Sequence, residues 1–140
     1  MPIFSGLECK RVLITGASGG IGRSMSYLFA KSGATLGLHY NENKDDAESL
    51  AFDINNNLGG EAICFQADLL SSDMVSLIDN FVDRAGGIDI LINNAGGVFG
   101  FTEFLELDEV SWRDTQKLNV EAPFFLAQKA FMHMKEEVKL

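Results

Sequence analysis

Eight consecutive residues, Thr15-Gly16-Ala17-Ser18-Gly19-Gly20-Ile21-Gly22, follow directly on the apolar run Val12-Leu13-Ile14. A strand that enters a glycine-rich turn, with a helix behind it, is a local design for holding the pyrophosphate of a dinucleotide. In that reading Gly16 takes a sharp backbone turn that a Cβ would obstruct. Gly20 lets the main chain approach the phosphates, and Gly22 lets the helix lie close to the strand. Ser18 and Ile21 complete the turn, and the N–H groups of the helix start face the anion. The spacing is Gly-x-x-x-Gly-x-Gly and departs from the general Gly-x-Gly-x-x-Gly fingerprint. Any tight strand-to-helix turn uses glycine, so the motif locates a ligand and names no reaction.

A second chemical signal is a proline inside a helical pattern. Pro123 follows Asn119 by four residues in Asn119-Val120-Glu121-Ala122-Pro123. Proline has no N–H to give the carbonyl four residues back, so the sequence predicts a helix kink with a spare acceptor at Asn119. The remaining reactive side chains form no constellation. His39 and His133 stand alone without partners at metal-binding spacing, and no metal site is expected. Cys9 and Cys64 make no Cys-x-x-Cys and read as small core residues in a reduced, cytoplasmic protein.

The elements that must position these residues alternate regularly. Strands are expected over 11–15, 34–40, 61–66 and 88–93, and helices over 20–32, 43–58, 71–85 and 107–134. Gly33, Gly59-Gly60 and Gly86-Gly87 each follow a helix, where a C′ glycine belongs. Ser71, Ser72 and Asp73 suit the start of the third helix. Continuous apolar strands such as Ile90-Leu91-Ile92 imply an α/β fold whose parallel sheet is covered on both faces. Right-handed crossovers then give a doubly wound, Rossmann-type arrangement of strand order 3-2-1-4.

Composition narrows the function classes. The 140 residues are 46% hydrophobic, which suits one domain over 1–140 with a real core. A net charge of −9 with scattered cations argues against nucleic acid as a partner. No apolar stretch approaches the roughly 20 residues of a membrane span, and residues 1–10 lack the basic-then-apolar layout of a signal peptide.

Four segments together resemble the short-chain dehydrogenase/reductase family: the glycine motif, Asp68 in Ala67-Asp68-Leu69, Asn93-Asn94-Ala95-Gly96 after Ile88-Asp89-Ile90-Leu91-Ile92, and Asn119 in Leu118-Asn119-Val120. The resemblance implies that Asp68 accepts a hydrogen bond from the adenine amino group while the Leu69 backbone lines the base. The backbone of Asn94, Ala95 and Gly96 would lie against the cofactor ribose, and Asn93 would tie neighbouring strands together. The Asn119 carbonyl would bind a water in a proton relay to a catalytic lysine. The second strand ends at Tyr40-Asn41 without the carboxylate that would hold a ribose 2′-hydroxyl, which favours NADP(H) and leaves NAD open. Lys44, His39, Arg11 and Arg23 are the cations left to meet a 2′-phosphate.

The family's serine and Tyr-x-x-x-Lys follow the fifth strand and have no counterpart here. Tyr27 and Lys31 fit that spacing, but on the helix behind the glycine turn and ahead of Asn119, where a hydride partner cannot reach. The chain therefore resembles the first half of a family member, with its fourth strand left as an open edge. Three readings stand: an oxidoreductase acting on a small-molecule carbonyl or alcohol, with an acyl ketone such as a 3-oxoacyl thioester first, a nucleotide-binding module without turnover, or an interaction fragment needing a complementary chain. The resemblance also implies a homo-oligomer in the full-length form, built on the long helix that carries Trp112 and Asn119.

Overall fold

Alternation of side chains along the first strand sets the architecture. In the computed structural model, which describes residues 4–134, Val12, Leu13 and Ile14 are all fully buried, with Leu13 on the opposite face from the other two. A strand apolar on both faces needs cover on both, and the chain supplies it with helices.

The elements run β1 (Arg11–Ile14), α1 (Gly20–Lys31), β2 (Thr35–Tyr40), α2 (Lys44–Asn57), β3 (Glu61–Gln66), α3 (Ser76–Ala85) and β4 (Ile90–Ile92). A single 3-10 turn (Phe104–Glu106), α4 (Glu109–Gln116), a π turn (Lys117–Glu121) and α5 (Ala122–His133) follow. All strand pairings are parallel, in the order β3-β2-β1-β4. Val12 sits beside Leu36 on one side and Ile90 on the other. This is the doubly wound order expected from the sequence.

Val12, Ile14, Leu36 and Leu38 pack with Ala30 of α1 and Leu50 and Ile54 of α2. On the other face Leu13 and Phe65 pack with Leu77, Ile78 and Phe81 of α3 and Leu126 and Ala130 of α5. Gly37 leaves room on that second face for the Phe81 ring, whose edge meets Phe65 at 5.7 Å between centroids. At the amino end of the sheet Arg11 grips Asp89 through Nε–Oδ2 at 2.9 Å and Nη2–Oδ1 at 3.0 Å. That pair locks β1 to the entry of β4.

Two helices differ from expectation. The third begins at Ser76, not at 71. Ser71 spends its groups on a local turn instead, its amide donating to the Asp68 carbonyl and its Oγ accepting from the Asp73 amide. The expected helix over 107–134 is interrupted where Pro123 predicted a break, and the interruption takes the form of a π turn. The Ala122 amide bonds the Lys117 carbonyl five residues back, and Pro123 falls in the first turn of α5, where its missing N–H costs little. Asp108 caps α4, its Oδ1 accepting from the Ser111 amide at 2.8 Å.

Gly33, Gly59 and Gly86 all take the left-handed conformation expected after a helix. β4 has a strand neighbour on one side only among the described residues, and its three apolar residues stay half-buried. No helix among the described residues is long and apolar enough to cross a membrane. Of the proposed 1–140 domain, positions 1–3 and 135–140 lie outside the described residues.

Candidate functional site

All four strands point their carboxyl ends at one cleft of about 770 Å³. A parallel sheet whose order reverses beside β1 leaves its crevice there, because the crossovers on either side of β1 leave in opposite directions. The residues expected to hold a cofactor meet in its wall: Gly16, Ser18, Gly20 and Ile21 after β1, Tyr40 and Asn41 after β2, Asp68 and Leu69 after β3, and Asn94, Ala95 and Gly96 after β4. Gly22 lies behind them, and Asn119 lies outside the cleft lining.

The glycine turn is held from three sides. Gly16 adopts φ +60°, and a Cβ at Gly22 would stand 2.3 Å from the Gly16 carbonyl oxygen. Both positions therefore require glycine, one for conformation and one for the approach of α1 to the turn. A Cβ at Gly20, by contrast, would meet nothing within 4 Å. The first turn of α1 carries no acidic residue, and its leading N–H groups have no intrahelical acceptor. A helix start of this kind accepts an anion.

β4 supports the turn through Asn94, whose Nδ2 donates to the Thr15 carbonyl at 3.1 Å and the Gly16 carbonyl at 3.0 Å. The buried Thr15 Oγ1 accepts from the Asn94 and Ala95 amides at 3.0 and 2.9 Å. The strand tie expected of Asn93 thus belongs to Asn94. Asn93 Nδ2 reaches the Pro123 carbonyl at the start of α5, because the side chain after it points to the other face of the chain.

β2 supports the turn through His39, which is 2% exposed. The Gly16 amide donates to His39 Nδ1 at 3.0 Å, and the Ala17 amide donates to the His39 carbonyl at 3.0 Å. Nδ1 accepts, so the proton sits on Nε2, which donates to the Ala67 carbonyl at 2.9 Å. Burial lowers the pKa of the imidazole, partly opposed by the Ala67 carbonyl.

These contacts correct the list of cations for a 2′-phosphate. His39 is neutral and committed on both ring nitrogens, and Arg11 is engaged with Asp89 at the opposite end of β1. Arg23 lies over the Tyr27 ring, 5.7 Å from its centroid. Lys44 remains, exposed and 3.7 Å from Glu48. The wall also includes Glu42, Asn43, Leu70, Phe99 and Leu118, which sequence reasoning missed. Glu42 lay one residue beyond the expected strand tip, so proximity in sequence was its one available signal. Phe99 carries no motif, and Leu118 stood next to Asn119 in a segment singled out for Asn119 alone.

Asp68 lines the cleft and also closes a local turn, its Oδ1 accepting from the Leu70 amide at 2.9 Å. Asn119 stands in the π turn, where its side chain grips Gly97: the Gly97 amide donates to Oδ1 at 3.1 Å, and Nδ2 donates to the Gly97 carbonyl at 2.6 Å and the Thr115 carbonyl at 2.8 Å. Tyr27 is set apart from the cleft. Its hydroxyl donates to Asp53 of α2 at 2.5 Å, and that hydrogen bond raises the pKa of the phenol. Among the described residues no three His, Cys, Asp or Glu side chains gather as metal ligands would.

Comparison with known proteins agrees with this geometry. The chain is 35% identical over 136 residues to the chloroplastic NADPH-dependent aldehyde reductase 1 of Arabidopsis thaliana, covering 93% of this chain and 47% of that protein. It superposes with a TM-score of 0.85 on the NADH-dependent reductase A1-R' complexed with NAD, at 33% identity, covering 94% of this chain and 54% of the other. A short chain dehydrogenase from Burkholderia cenocepacia J2315 in complex with NADP gives a TM-score of 0.86 at 34% identity, covering 93% and 53%. The chain spans about half the length of the curated relatives it matches. The short chain dehydrogenase profile matches residues 10–139, nearly the whole of the sheet, its helices and the cleft between them, and this chain belongs to that family.

Proposed function

We propose that this chain is the cofactor-binding part of a nicotinamide-dependent oxidoreductase that moves hydride between the cofactor and a small carbonyl or secondary alcohol. The observation that carries the reading is the convergence of the glycine turn, the β2 tip, Asp68 and Asn94–Gly96 on one cleft at the carboxyl edge of the sheet.

In this reading the amides that open α1 bind the pyrophosphate, Asp68 and Leu69 hold the adenine, and Tyr40 and Asn41 face its ribose. The backbone of Asn94, Ala95 and Gly96 orients the second ribose. The bound dinucleotide supplies or accepts the hydride. Asn119 anchors the Gly97 backbone with its side chain and offers its carbonyl to a proton-relay water. Tyr27 and Tyr40 are the only tyrosines in these 140 residues, and neither stands after Asn119 where the relay's tyrosine–lysine pair would be.

NADP(H) is the favoured cofactor and NAD(H) is admitted. The β2 tip has no carboxylate at Tyr40-Asn41, and exposed Lys44, loosely paired with Glu48 at 3.7 Å, can turn to meet a 2′-phosphate, while Glu42 in the wall opposes it. The similar Arabidopsis enzyme is NADPH-dependent by name, and the compared structures carry NAD or NADP. A 3-oxoacyl thioester is the first substrate to try. Free Cys9 and Cys64 suit a reducing, cytoplasmic setting. Exposed Trp112, Val120 and Phe124 suit assembly of the full-length protein with its own copies.

Calorimetric titration with NADPH and NADH, with Gly16→Val as control, beside an acetoacetyl-thioester reduction assay, tests the reading. Binding that the control abolishes, without reduction by these 140 residues, is expected. Absence of binding by wild type at neutral pH would overturn it in favour of an interaction fragment.

A further inference from the structure

We propose that His39 is a positioning residue whose neutral imidazole bolts the glycine turn to the Ala67–Asp68 segment, so that its protonation releases the nucleotide. The proposal rests on the dinucleotide reading above and goes beyond it, since that reading gives His39, which lines the cleft, no role.

The geometry assigns the role. One residue takes two successive amides of the turn, Gly16 on Nδ1 and Ala17 on its carbonyl, both at 3.0 Å. Its other ring nitrogen donates to the Ala67 carbonyl, immediately before the acid expected at the adenine. The imidazole therefore spans the pyrophosphate side and the adenine side of the cleft. A neutral ring matches both partners, one acceptor for an N–H and one donor for a carbonyl. A protonated ring presents N–H to the Gly16 N–H, which removes the acceptor and forces two donors together at a nearly buried ring, 2% exposed. The Gly16 amide then loses its acceptor, and the turn is left with its Ala17 and Asn94 contacts.

The charged surroundings do little to compensate. The turn from Thr15 to Ser18 carries no titratable group. The end of β3 brings Asp68, whose Oδ1 is taken by the Leu70 amide, and the chain after His39 brings Tyr40 and Glu42. His39 shares a sheet face with Gly37, the face covered by α3, which carries Asp79, Asp83 and Arg84. Asp79 is held by Lys129 and His133 of α5. Burial is the leading cause of the shift of the ring below its ordinary 6.5, with no charged side chain among the causes. Affinity is therefore present near neutrality and lost as pH falls below that value.

NAD+ is the probe, because it lacks the 2′-phosphate that would itself titrate in this range. Its affinity is measured from pH 8 to pH 5 for wild type, His39→Gln and His39→Phe. Wild type is expected to lose at least tenfold in affinity with one-proton dependence. His39→Gln, which does not titrate, is expected to be flat, and His39→Phe weak at every pH. In parallel, nitrogen NMR of the wild-type ring should show the Nε2–H form at pH 8, and the Gly16 amide should shift with the ring's titration. Equal pH dependence in wild type and His39→Gln, or a Gly16 amide indifferent to the ring, would overturn the proposal. Failure of wild type to bind at pH 8 would count against the dinucleotide reading, while the NMR titration still decides the role of His39.

Discussion

Asn119 and Gly97 exchange two hydrogen bonds, the Gly97 amide donating to Oδ1 at 3.1 Å and Nδ2 donating to the Gly97 carbonyl at 2.6 Å. A side chain thus imitates a strand partner for a loop residue and holds the segment after β4 against the π turn. Asn119→Ala removes both bonds and a third to Thr115. The expected cost is about 1–2 kcal/mol, because the groups left behind are exposed and regain water. Thermal unfolding measures it, and hydrogen exchange at the Gly97 amide should accelerate most.

Gly20 and Gly22 separate binding from folding. A Cβ at Gly22 would meet the Gly16 carbonyl at 2.3 Å and Asn94 Nδ2 at 2.8 Å, whereas one at Gly20 meets nothing within 4 Å. Gly22→Ala should destabilise by about 1–3 kcal/mol through overpacking. Gly20→Ala should leave the melting temperature unchanged or slightly raised, yet weaken nucleotide binding, since its methyl enters the cleft. Paired melts and titrations distinguish the two.

Gly37 is a core position disguised as a strand weakness. A Cβ there would come within 2.6 Å of the Phe81 ring. Gly37→Ala should cost about 1–3 kcal/mol, and Phe81→Leu in the same chain should recover part of the loss. Denaturant unfolding of the four-member cycle gives the coupling.

Asp89 links stability to acid. Hydrogen bonding from Arg11 holds its carboxyl at about 2, against an ordinary 3.8. The folded value is the lower one, so the stabilisation is complete above the ordinary value and disappears as pH falls toward 2. Solvent reaches a pair whose side chains are 24% and 19% exposed, so the contribution is about 1 kcal/mol. Stability curves from pH 5 to pH 2 should converge for wild type and Asp89→Asn as the wild-type carboxyl protonates.

Charge at the β2 tip should set cofactor preference. Lys44→Ala is expected to weaken NADPH binding by about two- to fivefold and to leave NADH unaffected, the scale of one exposed ion pair. Glu42→Gln should strengthen NADPH binding by a similar factor. Competitive titrations with the two cofactors read both effects.

Much of the fold was legible because local rules and the global arrangement agree. Apolar strands, glycines after helices and a proline inside a helical pattern all act over a few residues. They located the four strands, the doubly wound order, the glycine turn and the break in the last helix. Ser71 misled for the same reason: a residue suited to cap a helix is equally suited to close a turn, and the Asp68 carbonyl three positions before it was the better partner.

The sequence by itself determined which backbone segments would meet at the carboxyl edge of the sheet, since strand order and crossover follow from pattern and chirality. Only the tertiary structure decided what each polar side chain there does. His39 moved from a candidate phosphate ligand to a neutral bolt between Gly16 and Ala67, Arg11 to a clasp on Asp89, and the strand tie from Asn93 to Asn94. Those assignments depend on partners 23 to 79 residues away, which no local spacing can specify, because a hydrogen bond is fixed by position in space and not by distance along the chain.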